Sequence, residues 1–194
     1  MNRFLLSAAL AVTALVPSAA AAQAIPAAVV AVVDLERVTS ECNACKTATA
    51  ALRSQVTGLE NRQKALATPL ETEGKAIQAA VNALAGKQPD AALQSRAKAW
   101  EAKRQQAAQE VGRQQEQIQR NQQYIQRQIA TKLGPIYQQV MQRRGATVLM
   151  EQGSTLAASS SIDVTNDVLT ALNTALPTIA TTAPAQAQQQ PQGR

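Results

Sequence analysis

The sequence predicts a mostly helical α+β protein, in which a small strand-bearing body carries a long antiparallel coiled-coil hairpin. Three observations lead there. Of 194 residues, 40 are Ala and 26 are Gln, aromatics make up 2%, and there is no His. Ala, Gln, Lys and Arg are good helix formers, and a chain short of large side chains buries too little apolar area to close a dense sphere. Two apolar stripes at alternating steps of four and three flank a Gly/Pro break, and Val-rich segments occur at the two ends of this helical zone.

Residues 1–24 read as an export signal. Arg3 gives the positive start, residues 4–16 the apolar stretch, and Pro17 onward a small-residue region suited to cleavage after Ala22 or Ala24. The apolar run falls short of the roughly 20 residues that span a bilayer. The mature chain is therefore expected outside the cytoplasm, in the periplasm of a Gram-negative cell. Residues 25–45 form the first part of the body. AVVAVV at 28–33 suits a buried strand, and residues 34–38 a short helix.

Residues 46–144 form the hairpin. In its first arm, positions 52, 56, 59, 63, 66, 70, 73, 77, 80 and 84 make one stripe, apolar except at Gln63 and Glu73. Residues 86–90 (GKQPD) break the helix and form the tip. The second arm resumes with Leu93, Ala97, Trp100, Arg104, Ala107, Val111, Gln114, Ile118, Asn121 and Ile125, and continues through Ile129, Leu133, Ile136 and Val140. A short turn between two such stripes makes an antiparallel pair the simplest packing. An arm of roughly 40 residues reaches about 60 Å. The seam is poorly glued: polar residues interrupt both stripes, Gly58, Gly74 and Gly112 weaken the helices, and Pro69 should kink the first arm. Drift in a spacer rod and an arm that bends around cargo both account for this.

Residues 145–176 complete the body. Strands are expected at 146–150 and 155–158, followed by a helix over 166–175 with Thr165 as N-cap, Asp167 in its first turn, and Val168, Leu169 and Leu172 on one face. Residues 177–194, a Pro/Ala/Gln tract, read as a disordered tail with nothing to bury.

Charge follows the same division. The hairpin carries sixteen basic and seven acidic side chains, a net +9, whereas residues 25–45 carry −2 and residues 145–193 carry −3. A bias that extends along both arms favours an anionic partner. Export and the scarcity of aromatic stacking platforms argue against nucleic acid. Acidic polypeptides, lipopolysaccharide phosphates and anionic membrane headgroups remain. The absence of His removes the commonest general base and the commonest metal ligand together. No catalytic residue, cofactor or metal site is assigned, and the chain is not expected to be an enzyme.

Val30 to Val38 (VAVVDLERV), Gly145 to Glu151 (GATVLME) and Ser161 to Leu169 (SIDVTNDVL) together resemble the Skp/OmpH family of periplasmic chaperones. The first looks like that family's opening strand and helix, the second like its strand after the long helix, and the third like its Asp-(Ile/Val)-Thr-x-x-Val signature. The resemblance covers roughly residues 28–173. It implies a homotrimer whose strands form a shared β-barrel body and whose hairpins surround a cavity. There the family holds unfolded outer-membrane proteins without ATP and hands them on for membrane assembly. It brings no catalytic residues. Charge density, rather than a motif, singles out Arg96, Lys98, Lys103, Arg104, Arg113, Arg120 and Arg127 as contacts for acidic clients.

Cys42-Asn43-Ala44-Cys45 departs from that signature. A redox centre lacks the surrounding βαβ pattern, and a metal pair lacks two further ligands. An oxidising compartment favours a structural disulfide, within the chain or between subunits. Mass measurement after thiol alkylation should find neither cysteine alkylated in protein taken directly from the periplasm. Free thiols there would exclude the disulfide.

Overall fold

The computed structural model describes residues 26–184. The segment expected to be an export signal and the last ten residues of the tail lie outside the described residues. Strand β1 (Val30–Val33) leads into helix α1 (Leu35–Glu41), then α2 (Asn43–Ala83), α3 (Ala91–Arg144), strand β2 (Val148–Glu151) and α4 (Thr165–Ala175). The two strands pair in parallel, with Val30 opposite Val148 and Val33 opposite Glu151. Residues 155–158, expected as a third strand, form none. Short 3-10 turns at Gln152–Ser154 and Ser160–Ile162 flank them, and Leu156 is fully exposed. That segment contributes no ladder; β1 instead meets Asp163 in a single parallel bridge at Val32.

The core lies at one end of the molecule. Ala31 and Val33 of β1, Val38 of α1, Cys42 and Cys45, Leu133, Ile136 and Val140 near the end of α3, and Val168 and Leu172 of α4 make one buried cluster. β1, α1 and α4 contribute to it, β2 packs only the partly buried Leu149 against it, and both long helices are rooted in it.

Side-chain caps fix how the elements start. Asp34 Oδ1 accepts from Arg37 N–H (2.8 Å) at α1, and Asn173 Oδ1 of α4 accepts from Asn43 N–H (2.8 Å) at α2. Cys42, with ψ 132°, separates α1 from α2 and its sulfur accepts from Cys45 N–H. The Cys42 and Cys45 sulfurs are bonded to each other at 2.14 Å, within the chain and inside the core. α3 begins on Asp90, whose Oδ1 accepts from Leu93 N–H (2.8 Å). It ends at Gly145, whose φ of 65° lets Ala146 N–H reach Met141 O (2.9 Å).

Thr165 is not the N-cap expected of it. Its hydroxyl is taken by Asp34 N–H (2.9 Å), across 131 residues of sequence, and Asp163 Oδ1 accepts from Thr165 N–H (2.8 Å) instead. The tail also departs from expectation over residues 177–184. Ile179 packs on the core, and the backbone that follows is hydrogen-bonded to α2 and α3. Ile179 apart, the composition gave no apolar reason for order, because the rest of the seating uses main-chain groups.

Hydrogen bonds from the Thr165 side chain and backbone hold the Asp163 carboxyl below the usual carboxylate range. A depressed folded-state pKa means that the ionised cap stabilises the fold above the ordinary carboxylate value, and that this stability is lost as pH falls through the folded one. Asp163→Ala should cost about 1 kcal/mol at neutral pH. In urea denaturation the gap to the parent should narrow from about pH 7 to about pH 3. A gap of constant size contradicts the assignment.

Candidate functional site

The two arms meet along a seam that never closes. Between Ala48 and Asn121 no residue is fully buried. Leu52, Leu59, Leu66, Leu70, Ile77 and Leu84 of α2 are half-buried, as are Leu93, Ala97, Trp100, Ala107, Val111 and Ile118 of α3. Three residues of the expected stripes lie outside it, Val56, Gln63 and Arg104. Val56 is 41% exposed, and Arg104 turns to Glu101, 2.8 Å away, with its guanidinium 5.9 Å above the Trp100 ring. A guanidinium keeps its hydration and a π-face there, which a seam position would deny it.

Trp100 is the largest group in the seam. Its Nε1–H donates to Leu70 O (2.8 Å), and its ring lies against Gly74, where a Cβ would stand 3.1 Å from ring carbon Cζ2. Gly74, read from the sequence as a weak point, makes room for the indole. α2 passes through Pro69 one residue earlier than Leu70, and a cleft of about 480 Å³ opens beside it between Leu66, Leu70, Trp100, Lys103 and Ala107.

Two bidentate ion pairs cross the hairpin. Arg62 Nε and Nη2 reach Glu110 at 2.6 and 3.2 Å, and Arg96 reaches Glu73 at 2.6 and 3.1 Å. The hydrogen bond from each guanidinium, more than its charge, draws the carboxyl below the usual range. Of the seven basic residues singled out above, Arg96 and Arg104 are therefore engaged with carboxylates. Arg120 leans on Gln117 Oε1 (2.5 Å) and lies 3.8 Å from Glu116. Lys98, Lys103, Arg113 and Arg127 are exposed and have no ion-pair partner among the described residues.

At the root of the hairpin the contacts change character. Asn121 is 3% exposed, and its Nδ2 donates to Gln55 Oε1 (2.8 Å) across the two arms. Gln117 Nε2 donates to Asn121 Oδ1 (2.7 Å). These carboxamides, with Gln128, line a groove in which residues 180–183 lie. Sequence reasoning missed Gln55, Gln117 and Gln128 altogether; its one signal was Asn121, a polar residue on an apolar stripe. A second cleft, of about 580 Å³, lies near this root between Cys45, Ala48, Leu52, Ile125, Ile129 and Leu133.

A small α+β body bearing a basic, half-open hairpin of two long helices defines a class of helical-armed protein with a surface that favours anions. The chain belongs to the family described as outer membrane protein (OmpH-like), whose model matches residues 29–172. Its fold is similar to that of a Caulobacter crescentus CB15 protein described as a candidate outer membrane chaperone (OmpH-like). The TM-score is 0.69 and the identity 20%, over 86% of this chain and 96% of that one. No curated protein matches. Among the described residues no helix is long and apolar enough to cross a membrane.

The fit of Trp100 against Gly74 can be tested by adding volume. Gly74→Ala should be nearly neutral, because a gain of about 1 kcal/mol in helix propensity offsets the tight contact. Gly74→Val should drive the indole outward, red-shift its fluorescence and lower stability by about 1–3 kcal/mol. Unchanged emission from the valine variant would show that the indole does not rest there.

Proposed function

We propose that the chain is an ATP-independent holdase of the periplasm. In this reading it binds unfolded outer-membrane proteins between its basic helical arms, prevents their aggregation and aids their delivery to the outer membrane. The observation that carries the reading is the hairpin: a net +9 on two helices whose apolar seam stays half exposed from Ala48 to Asn121. Such arms offer an unfolded chain many weak apolar contacts without a deep pocket. Weak contacts in number retain a client through effective concentration while letting it leave. Lys98, Lys103, Arg113 and Arg127 supply charge for acidic clients, and no reaction or cofactor is required.

The active form is a homotrimer in this proposal. A two-stranded sheet is not stable alone, and β2 leaves Val148 and Met150 about two-fifths exposed, with Val29 beside them also exposed. Strands from other copies of the chain would cover this apolar edge. Binding of lipopolysaccharide or an anionic membrane surface is a second reading. It is favoured by Arg113, Arg120 and Arg127, which recur at seven-residue spacing along one stripe of α3.

Dilution of a urea-unfolded outer-membrane protein decides between these readings. An excess of this protein should suppress the light scattering that otherwise follows; equal scattering with and without it ends the chaperone reading. Replacing Lys98, Lys103, Arg113 and Arg127 together by Gln should weaken capture about tenfold and remove most of its salt dependence. Undiminished, equally salt-sensitive capture would exclude these four cations as the contacts.

A further inference from the structure

We propose that the groove at the root of the hairpin is a binding site for extended polypeptide backbone. This chain's own residues 180–183 occupy it as an internal ligand, which an incoming unfolded chain displaces. The inference deepens the holdase reading and rests on it for the identity of the competitor.

The contacts themselves point to backbone recognition. Gln128 presents both ends of its carboxamide to one residue: its Oε1 accepts from Ala180 N–H (3.0 Å) and its Nε2 donates to Ala180 O (2.8 Å). That is the donor–acceptor pairing one residue meets in a β-ladder. Ala183 is read in the same way by two side chains. Its N–H donates to Asn121 Oδ1 (2.8 Å), and its carbonyl accepts from Gln117 Nε2 (3.3 Å). Gln55 Nε2 donates to Thr181 O (3.2 Å) between them. All five bonds end on main-chain atoms, and no side chain from Ala180 to Pro184 hydrogen-bonds to another described residue. Recognition of this kind gives affinity without sequence specificity, which suits a site for unfolded polypeptides.

The reading groups are also bonded to one another. Asn121 Nδ2 is fixed by Gln55 across the arms, Asn121 Oδ1 by Gln117, and Gln117 Oε1 by Arg120. Arg120 Nε is buried with no partner among the described residues, leaving a spare donor next to Gln117. The occupant is held loosely by comparison. Beyond Ile179 it has no large apolar side chain, and the net gain from five such bonds is of the same order as the backbone entropy lost in ordering it. Its advantage over a free chain is the tether, which sets an effective concentration of about millimolar. A long client that engages the arms gains the same advantage and can compete.

The test uses the full mature chain and one ending at Leu176, which keeps the buried end of α4. The probe is a fluorescent peptide of residues 177–184, with a second version N-methylated at Ala180 and Ala183. The shortened chain should bind the peptide at least about tenfold more tightly than the full chain, whose groove is filled. A scrambled peptide of the same composition that keeps Ile at its third position should bind comparably, and the N-methylated peptide should not bind. Gln128→Met, a substitution at a part-buried position that leaves the Asn121 pair intact, should weaken binding to the shortened chain. Equal binding to both chains, no binding to either at about millimolar peptide, or full binding of the N-methylated peptide would each overturn the proposal. The scattering assay on the same two chains judges the holdase reading separately: if neither suppresses aggregation, that reading fails whatever the peptide does.

Discussion

Burial of Val38, Val140, Val168 and Leu172 in one small core is the interaction on which the rest of the structure depends. A fully buried aliphatic side chain contributes about 1.5–3 kcal/mol, and nearly all such residues lie where β1, α1, α4 and the roots of α2 and α3 meet. Beyond Ala48 and Asn121 the arms have only half-buried seam residues, worth roughly half as much each. Each arm stays helical there through its Ala, Gln, Lys and Arg content and its length. What keeps one arm beside the other is much weaker. The molecule thus separates the stability of each helix from the stability of their pairing. That separation would let an arm shift without unfolding, which is what the proposed reading asks of it.

The core holds its elements in register through polar caps that cross between distant segments. Asp34, Thr165, Asn173 and Asp163 all accept from backbone N–H groups at or beside helix starts, and two of these bonds span about 130 residues of sequence. The first-turn N–H groups of a helix have no partner within it, so the two long-range bonds, from Asp34 N–H to Thr165 and from Asn43 N–H to Asn173, also locate α1 and α2 against α4. The Cys42–Cys45 bond lies at such a junction, where the chain leaves α1 and begins α2. It sits inside the core, among residues that anchor the hairpin rather than among those that line its open seam.

Much of this was legible in the sequence, because periodicity reports burial. The two stripes located both arms and the tip, and the Val-rich ends located the strands to within about two residues. What could not be read depended on partners remote in sequence. Asp163-Val164-Thr165 offers two capping side chains, and only the position of Asp34 decides between them. Residues 155–158 contain apolar and β-branched types but meet no partner strand. Residues 177–184 looked structureless because composition counts side chains, whereas five backbone hydrogen bonds seat them. The four carboxamides that make those bonds were hidden among 26 glutamines and a handful of asparagines, with Asn121 visible only as a flaw in a stripe.

That flaw has a physical logic when set beside the charges. Cations act over a Debye length and draw an acidic chain toward the arms, but they are screened by salt and discriminate between clients by charge. Carboxamides act only at contact, change little with salt or pH, and pair with a backbone whatever its side chains. A leucine at position 121 would tighten the root of the hairpin and remove the group that reads Ala183. Keeping Asn there costs seam stability at the point where the core ends and the open arms begin, which is where a groove for backbone can be both rigid and accessible. In the proposed reading the two kinds of polar group divide the work: charge would gather a client along the arms, and neutral amides at the root would hold it by the one feature all unfolded chains share.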